Sequence, residues 1–221
     1  VGAGLTGVGQ IAGSSSSIAD VNGDGNQDLL VTGYDGSTRT ATLYLGDGNG
    51  GFTEADAGLN GVSNGSTSIA DVDGDGNLDL LITGYDADIN PTATLYLGDG
   101  NGGFTKANAG LTGAFGSSAS ISDVDGDGNP DLLITGEGES KSFTARLYLG
   151  DGNGDFTEAN ASLTNVQLGS TSIADVNGDG NEDLLITGED SGGNLTATLY
   201  LGDGNGGFTE AAAGLTGVGG R

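Results

Sequence analysis

Apolar residues along this chain fall in short clusters set between polar, glycine-rich stretches, and the clusters recur. Leu29-Leu30-Val31 returns as Leu80-Leu81-Ile82, Leu132-Leu133-Ile134 and Leu184-Leu185-Ile186. Leu43-Tyr44-Leu45 returns as Leu95-Tyr96-Leu97, Leu147-Tyr148-Leu149 and Leu199-Tyr200-Leu201. Runs that are apolar on successive residues fit strands covered on both faces. One period predicts four strands: Ser15–Val21 of small residues, Asp28–Tyr34, Thr40–Leu45, and a weaker one from Phe52 to about Leu59. The links between them are an aspartate-rich loop, Asp35–Arg39 and Gly46–Gly51. Their Asp-Gly and Asn-Gly pairs are hairpin signals, because glycine accepts positive φ. No stretch sustains a 3.6-residue period, so no helix longer than a turn is predicted.

Two motifs keep phase through the chain. Asp20-Val21-Asn22-Gly23-Asp24-Gly25-Asn26-Gln27-Asp28 recurs from Asp71, Asp123 and Asp175, with starts 51, 52 and 52 residues apart. Leu45-Gly46-Asp47-Gly48-Asn49-Gly50-Gly51-Phe52 recurs from Leu97, Leu149 and Leu201. A period of this length is that of propeller blades. The expected fold is therefore all-β: a single β-propeller domain over 1–221, built of four-stranded antiparallel blades, with repeats near 14–65, 66–117, 118–169 and 170–221. Small residues in each first strand suit the crowded centre of such an array. Tyr44, Tyr96, Tyr148 and Tyr200, with Phe52, Phe104, Phe156 and Phe208, recur once per blade and are expected to pack between blades. Segment 1–13 duplicates the C-terminal one: Gly4-Leu5-Thr6-Gly7-Val8-Gly9 equals Gly214-Leu215-Thr216-Gly217-Val218-Gly219. The surplus copy suggests an excerpt of a longer array, or a segment that exchanges with another chain to give a homo-oligomer.

A hydrophobic content of 34% with a formal charge of −26 is the composition of a disordered chain. The clustering and phase of the apolar residues argue against that. No cysteine is present, so no disulfide supports the fold. No run of about 18 apolar residues is found, so no membrane insertion is expected. The negative charge disfavours nucleic acid and anionic membranes as partners.

The nine-residue loop is a set of oxygen donors at alternating positions. Ca²⁺ takes about six to eight oxygen ligands. Side chains at positions 1, 3, 5 and 9, with the backbone carbonyl of the asparagine at position 7 and water, supply such a shell. The ligand sets are Asp20, Asn22, Asp24, Asn26 and Asp28; Asp71, Asp73, Asp75, Asn77 and Asp79; Asp123, Asp125, Asp127, Asn129 and Asp131; and Asp175, Asn177, Asp179, Asn181 and Asp183. One Ca²⁺ per repeat gives four, which would offset eight negative charges. Position 12 is Val31, Ile82, Ile134 or Ile186 inside an apolar run, where an EF-hand needs glutamate and flanking helices. Mg²⁺ resists dehydration, and Zn²⁺ wants His or Cys, of which there is none. The plainer alternative is that Asp-Gly-Asp-Gly is turn chemistry alone; four loops in phase, with aspartate always at 1, 5 and 9, weigh against it. Asp47, Asp99, Asp151 and Asp203 in the second motif lack further carboxylates at ligand spacing and are read as hairpin turns.

Asp-Val-Asp-Gly-Asp-Gly-Asn-x-Asp-Leu-Leu followed by Leu-Tyr-Leu-Gly-Asp-Gly-Asn-Gly-Gly-Phe-Thr resembles the FG-GAP/VCBS repeats, the blades of integrin-α-type propellers. The resemblance covers essentially the whole chain. It implies calcium in the loop between first and second strands, an extracellular or cell-surface setting, and adhesion or ligand binding; some such proteins are lectins. Family propellers commonly have seven blades and this chain has four periods, which leaves ring closure open.

Catalysis finds little support. Without His or Cys no Ser/His or Cys/His dyad is available, and only Lys106 and Lys141 offer an amine. The expectation is a non-enzymatic binding module for a protein or carbohydrate ligand. The second-to-third strand links differ most between repeats (Asp35–Arg39, Asp86–Pro91, Glu137–Ser142, Glu189–Asn194), and in a propeller they lie opposite the aspartate loops. Only Tyr34, Tyr85 and Phe143 supply aromatics near them. The rival expectation is a self-assembling structural array, an oligomeric ring or surface fibre. Sequons at Asn64, Asn160 and Asn194 fit a secreted protein.

Overall fold

The computed structural model describes residues 13–217. The duplicated segment at the N-terminus and Val218-Gly219 lie outside those residues. Among the described residues sixteen strands form four sheets of four. The first blade is β1 Ser15–Ala19, β2 Asp28–Tyr34, β3 Arg39–Gly46 and β4 Phe52–Ala55. The second is β5 Thr67–Ala70, β6 Asp79–Tyr85, β7 Pro91–Gly98 and β8 Phe104–Lys106. The third is β9 Phe115–Ser122, β10 Asp131–Glu137, β11 Phe143–Gly150 and β12 Phe156–Ala159. The fourth is β13 Thr171–Ala174, β14 Asp183–Glu189, β15 Leu195–Gly202 and β16 Phe208–Glu210. Every sheet is an antiparallel meander in sequence order. Among the described residues the one helical element is a 3₁₀ turn, Glu139–Lys141. The first strand stops at Ala19, two residues short of its predicted end, because the Asp20 carboxylate turns back to accept the Gly25 N–H at 2.8 Å. The fourth strand of each blade has three or four residues, shorter than expected.

The core lies between blades. Leu30, Leu43 and Val62 of the first share one cluster with Leu80, Ile82 and Tyr96 of the second. Val124, Leu133 and Leu147 of the third meet Leu184, Ile186 and Tyr200 of the fourth. Each fully buried leucine or isoleucine contributes about 1.5–3 kcal/mol over its exposed state. The tyrosines also carry a polar link. Tyr96, Tyr148 and Tyr200 accept the backbone N–H of Asn60, Thr112 and Thr164, each from the segment leaving the preceding blade, at 2.9, 3.0 and 2.8 Å. Burying a tyrosine hydroxyl without such a partner would be costly.

First strands of successive blades lie side by side: β1 against β5, β5 against β9, β9 against β13. Ser17 Oγ donates to the Thr67 carbonyl, Ser68 Oγ to that of Ala119, and Ser120 Oγ to that of Thr171. Short hydroxyl side chains allow this close approach. Among the described residues the array stays open. Val21, Val72 and Val124 are buried by the following blade, whereas Val176 in the last blade is 58% exposed.

Candidate metal centre

Each aspartate loop joins a first strand to a second and winds on its own side chains. The position-1 carboxylate accepts the N–H of position 6: Asp20 from Gly25, Asp71 from Gly76, Asp123 from Gly128, Asp175 from Gly180, at 2.8–2.9 Å. Position 3 accepts the N–H of position 5: Asn22 Oδ1 from Asp24, Asp73 from Asp75, Asp125 from Asp127 and Asn177 from Asp179. Position 5 accepts from position 7, the N–H of Asn26, Asn77, Asn129 or Asn181. Nested Asx turns of this kind bring alternate side chains to the inside of one loop.

Position 9 has a second task. Asp28, Asp79, Asp131 and Asp183 open the second strand and are each about 1% exposed. Asp131 Oδ2 accepts the Val124 N–H at 2.8 Å, and its Oδ1 accepts the Gly150 N–H at 2.9 Å. Asp28, Asp79 and Asp183 bind the matching pairs Val21 and Gly46, Val72 and Gly98, Val176 and Gly202. One buried carboxylate therefore pins the loop to the end of the third strand. That strand ends on glycine for want of space: a Cβ on Gly150 would stand 2.3 Å from the Pro130 carbonyl oxygen.

The arrangement fits a hard cation. Carboxylate oxygens of Asp71, Asp73 and Asp79 lie within 4.8 Å of one another, as do those of Asp123, Asp125 and Asp127. The first and fourth loops have an amide at position 3, whose Nδ2 donates to position 5: Asn22 to Asp24 at 3.1 Å and Asn177 to Asp179 at 2.9 Å. At the ligand positions these two loops carry one carboxylate fewer. The asparagines expected to lend a backbone carbonyl also use their side chains. A Cβ on Gly48, Gly100, Gly152 or Gly204, all at positive φ near +70°, would fall within 2.3 Å of Oδ1 of Asn26, Asn77, Asn129 or Asn181. Position 7 thus rests its amide on the second turn of its own blade, a contact that spacing within the loop does not reveal.

That second turn closes on itself. Asp47 Oδ1 accepts the N–H groups of Asn49 and Gly51, and Asp99, Asp151 and Asp203 repeat the pattern. Backbone N–H donors hold the Asp47, Asp99 and Asp151 carboxyls below the usual aspartate range. The turn also reaches the preceding blade, where a Cβ on Gly23 would lie 3.6 Å from the Gly100 carbonyl oxygen. Aspartate loop and turn therefore alternate along one edge of the array.

Burial pushes the Asp131 carboxyl up to about 6, against its two N–H donors, with Asp125 and Asp123 adding repulsion; Asp79 is raised for the same reasons. A carboxyl raised on folding makes the folded state bind more protons than the unfolded chain, so stability falls as pH rises from about 4 to 6. Metal-depleted protein is accordingly expected to melt higher at about pH 5 than at pH 7.5, and Ca²⁺ to remove or invert that order. Calorimetry at both pH values checks this, and a metal-depleted protein more stable at pH 7.5 would contradict it.

The opposite edge is irregular. Three of its links are Asx turns led by Asp35, Asp86 and Asp190, while the third blade has the 3₁₀ turn, with Ser140 and Lys141 at positive φ. Tyr85 stacks on Phe115, with ring centroids 3.9 Å apart. A cavity of about 550 Å³ opens between the second and third blades, walled by Pro91, Leu111, Glu139, Ser142 and Arg146 among others. Phe115 drew no attention in the sequence because its repeat partners are not aromatic.

An open array of four-stranded antiparallel blades, with one acidic loop between first and second strands of each, defines a β-propeller-type repeat protein. A profile described as an FG-GAP-like repeat matches at residues 20–82, 71–134 and 123–186, and the chain belongs to that family. No curated protein matches. Among solved structures, fructan 1-exohydrolase IIa from Cichorium intybus aligns at 14% identity with a TM-score of 0.48, over 96% of this chain and 47% of that one. The V. cholerae biofilm matrix protein Bap1 aligns at 17% identity with a TM-score of 0.36, over 89% of this chain and 38% of that one. The chain spans less than half the length of either. Among the described residues no helix is long and apolar enough to cross a membrane.

Proposed function

We propose that this chain is a calcium-stabilised, extracellular, non-enzymatic binding module, its calcium loops forming one edge of the array and its ligand, a protein or a glycan, meeting the other. The observation that carries the reading is the division between the two edges. The aspartate loops and the turns between them repeat one geometry in all four blades. The links at 35–38, 86–90, 138–142 and 190–194 differ in sequence, and the one at 138–142 exchanges the Asx turn of the other three for a 3₁₀ turn. Loops on a rigid frame are where recognition concentrates. Calcium belongs to the reading because three or four clustered carboxylates repel one another unless a cation sits among them. Loop sites of modest affinity, with Kd on the order of 10⁻⁴ M, fill only at extracellular calcium levels, and the extra carboxylate in the second and third loops favours those two.

Binding to a glycan array and to immobilised cell-surface extracts, in about 2 mM Ca²⁺, tests the recognition half. Replacing 138–142 with the first blade's 35–38 link should abolish the signal and leave the calcium-dependent melting temperature in place. A native chain that captures nothing on either surface, or a graft that binds unchanged, would remove this edge as the binding face.

A further inference from the structure

The first and last blades carry the two halves of a contact that the chain makes three times internally. On the side facing the next blade, Val21, Val72 and Val124 are at most 2% exposed, and Val176 is 58% exposed. Leu185 and Leu199 are half-buried, whereas their counterparts in the other blades, such as Leu81 and Leu95, are buried. On the side facing the preceding blade the deficit falls on the first blade. Leu29 is half-buried where Leu80, Leu132 and Leu184 are sealed, and Ile18 is 64% exposed.

The serine-to-carbonyl part of the contact stops at the same two places, while Tyr44, the first blade's counterpart of Tyr96, Tyr148 and Tyr200, is buried as they are. Ser17, Ser68 and Ser120 donate to the carbonyl of the next first strand; Ser172, next in the series, is exposed, and so is Ser16, the position that would receive it. The edge behaves alike. A Cβ on Gly23, Gly74 or Gly126 would meet the carbonyl of Gly100, Gly152 or Gly204 at 3.3–3.6 Å, and Gly178 meets nothing among the described residues. Conversely, the turn glycines Gly102, Gly154 and Gly206 face Leu45, Leu97 and Leu149 of the preceding blade, and Gly50 meets nothing among the described residues. The two faces match in apolar residues, in hydroxyl and carbonyl groups, and in the fit of turn against loop.

We infer that the exposed face of the fourth blade docks onto the exposed face of the first blade of a second copy of this chain, continuing the internal blade-to-blade contact head to tail. The occupant is a second copy because the face it must match is already present, three times over, within the chain. Docking would set the Gly48 turn of that copy against the loop at Asp175–Asp183, as the Gly100 turn stands against the loop at Asp20–Asp28. An interface of two different faces closes into a ring or runs on as a filament. Two chains of four blades make eight, within the known range of propellers. The inference rests on the blade contacts and not on the calcium reading.

Sedimentation velocity of the full chain in about 2 mM Ca²⁺, from roughly 1 to 100 µM, tests it. The native chain is expected to sediment as a dimer or as a growing series, in either case at multiples of the chain mass. Val176→Gln and Ile18→Glu alter exposed residues without adding a carboxylate to the aspartate loop, and should leave circular dichroism in place while each yields monomer. Mixed together, the two variants retain one intact pair of faces, Ile18 and its surroundings from one copy and Val176 from the other, and should form a 1:1 dimer that grows no further. A native chain monomeric throughout, a single variant that still assembles, or a mixture that stays monomeric would each overturn the inference. Melting with and without calcium on the same samples reads the loops separately.

Discussion

Stripping calcium is expected to lower the melting temperature by tens of degrees, or to leave the chain unfolded at room temperature. With Kd on the order of 10⁻⁴ M and about 1 mM Ca²⁺, one site stabilises the fold by roughly 1.4 kcal/mol, and four together by about 6 kcal/mol. Whole domains are stable by only about 5–15 kcal/mol. The chain has little else to draw on. It has no disulfide, its formal charge is −26, and 47 glycines enlarge the entropy of the unfolded state. In each blade the loop aligns the first two strands, with Ala19 opposite Asp28, Ala70 opposite Asp79, Ser122 opposite Asp131 and Ala174 opposite Asp183, so releasing the loop loosens the innermost strands directly. Differential scanning calorimetry in 2 mM Ca²⁺ and in EGTA at neutral pH measures the difference. Coincident melts in the two buffers would mean that the loops are held by Asx turns alone.

The blade plan was legible because two periodicities coincide. Leucine and isoleucine runs fix the strands that blades bury between them, and glycine with aspartate or asparagine fixes the turns at a constant offset. The sixteen strands fall where that pattern puts them. Boundaries were less legible. Val21 belongs by composition to the first strand, yet its N–H is taken by the Asp28 carboxylate and not by a strand partner. Nor could spacing show what the second turn contacts. Gly-Asp-Gly-Asn-Gly reads as a hairpin on its own, and only the fold brings Gly100 against Asn77 of its own blade and Gly23 of the one before. The open ends were invisible for a related reason. Val176 occupies the same motif position as Val21, Val72 and Val124, and exposure depends on a neighbouring blade that local sequence does not encode.

The candidate site was legible in its residue types and incomplete in its roles. Alternation of oxygen donors picks out positions 1, 3, 5, 7 and 9 as one class, but the structure divides them. Asp127 is exposed and bonds within the loop, whereas Asp131 is buried and also holds Val124 and Gly150 from outside it. Replacing each with alanine should separate holding the loop from holding an ion. Asp131→Ala strands two buried N–H groups, each at about 1–3 kcal/mol, so a loss of roughly 2–5 kcal/mol is expected with or without calcium, partly offset in metal-free protein at neutral pH by removal of a buried charge. Asp127→Ala removes one exposed acceptor and should change metal-free stability by less than about 1 kcal/mol. In 2 mM Ca²⁺ it should forfeit most of that site's roughly 1.4 kcal/mol and reduce the ions bound, counted by calorimetric titration, by one. Equal losses for the two variants in EGTA would show that position 9 is no special anchor. An Asp127→Ala chain that still binds every ion of the native one would place the cation, if any, outside this loop.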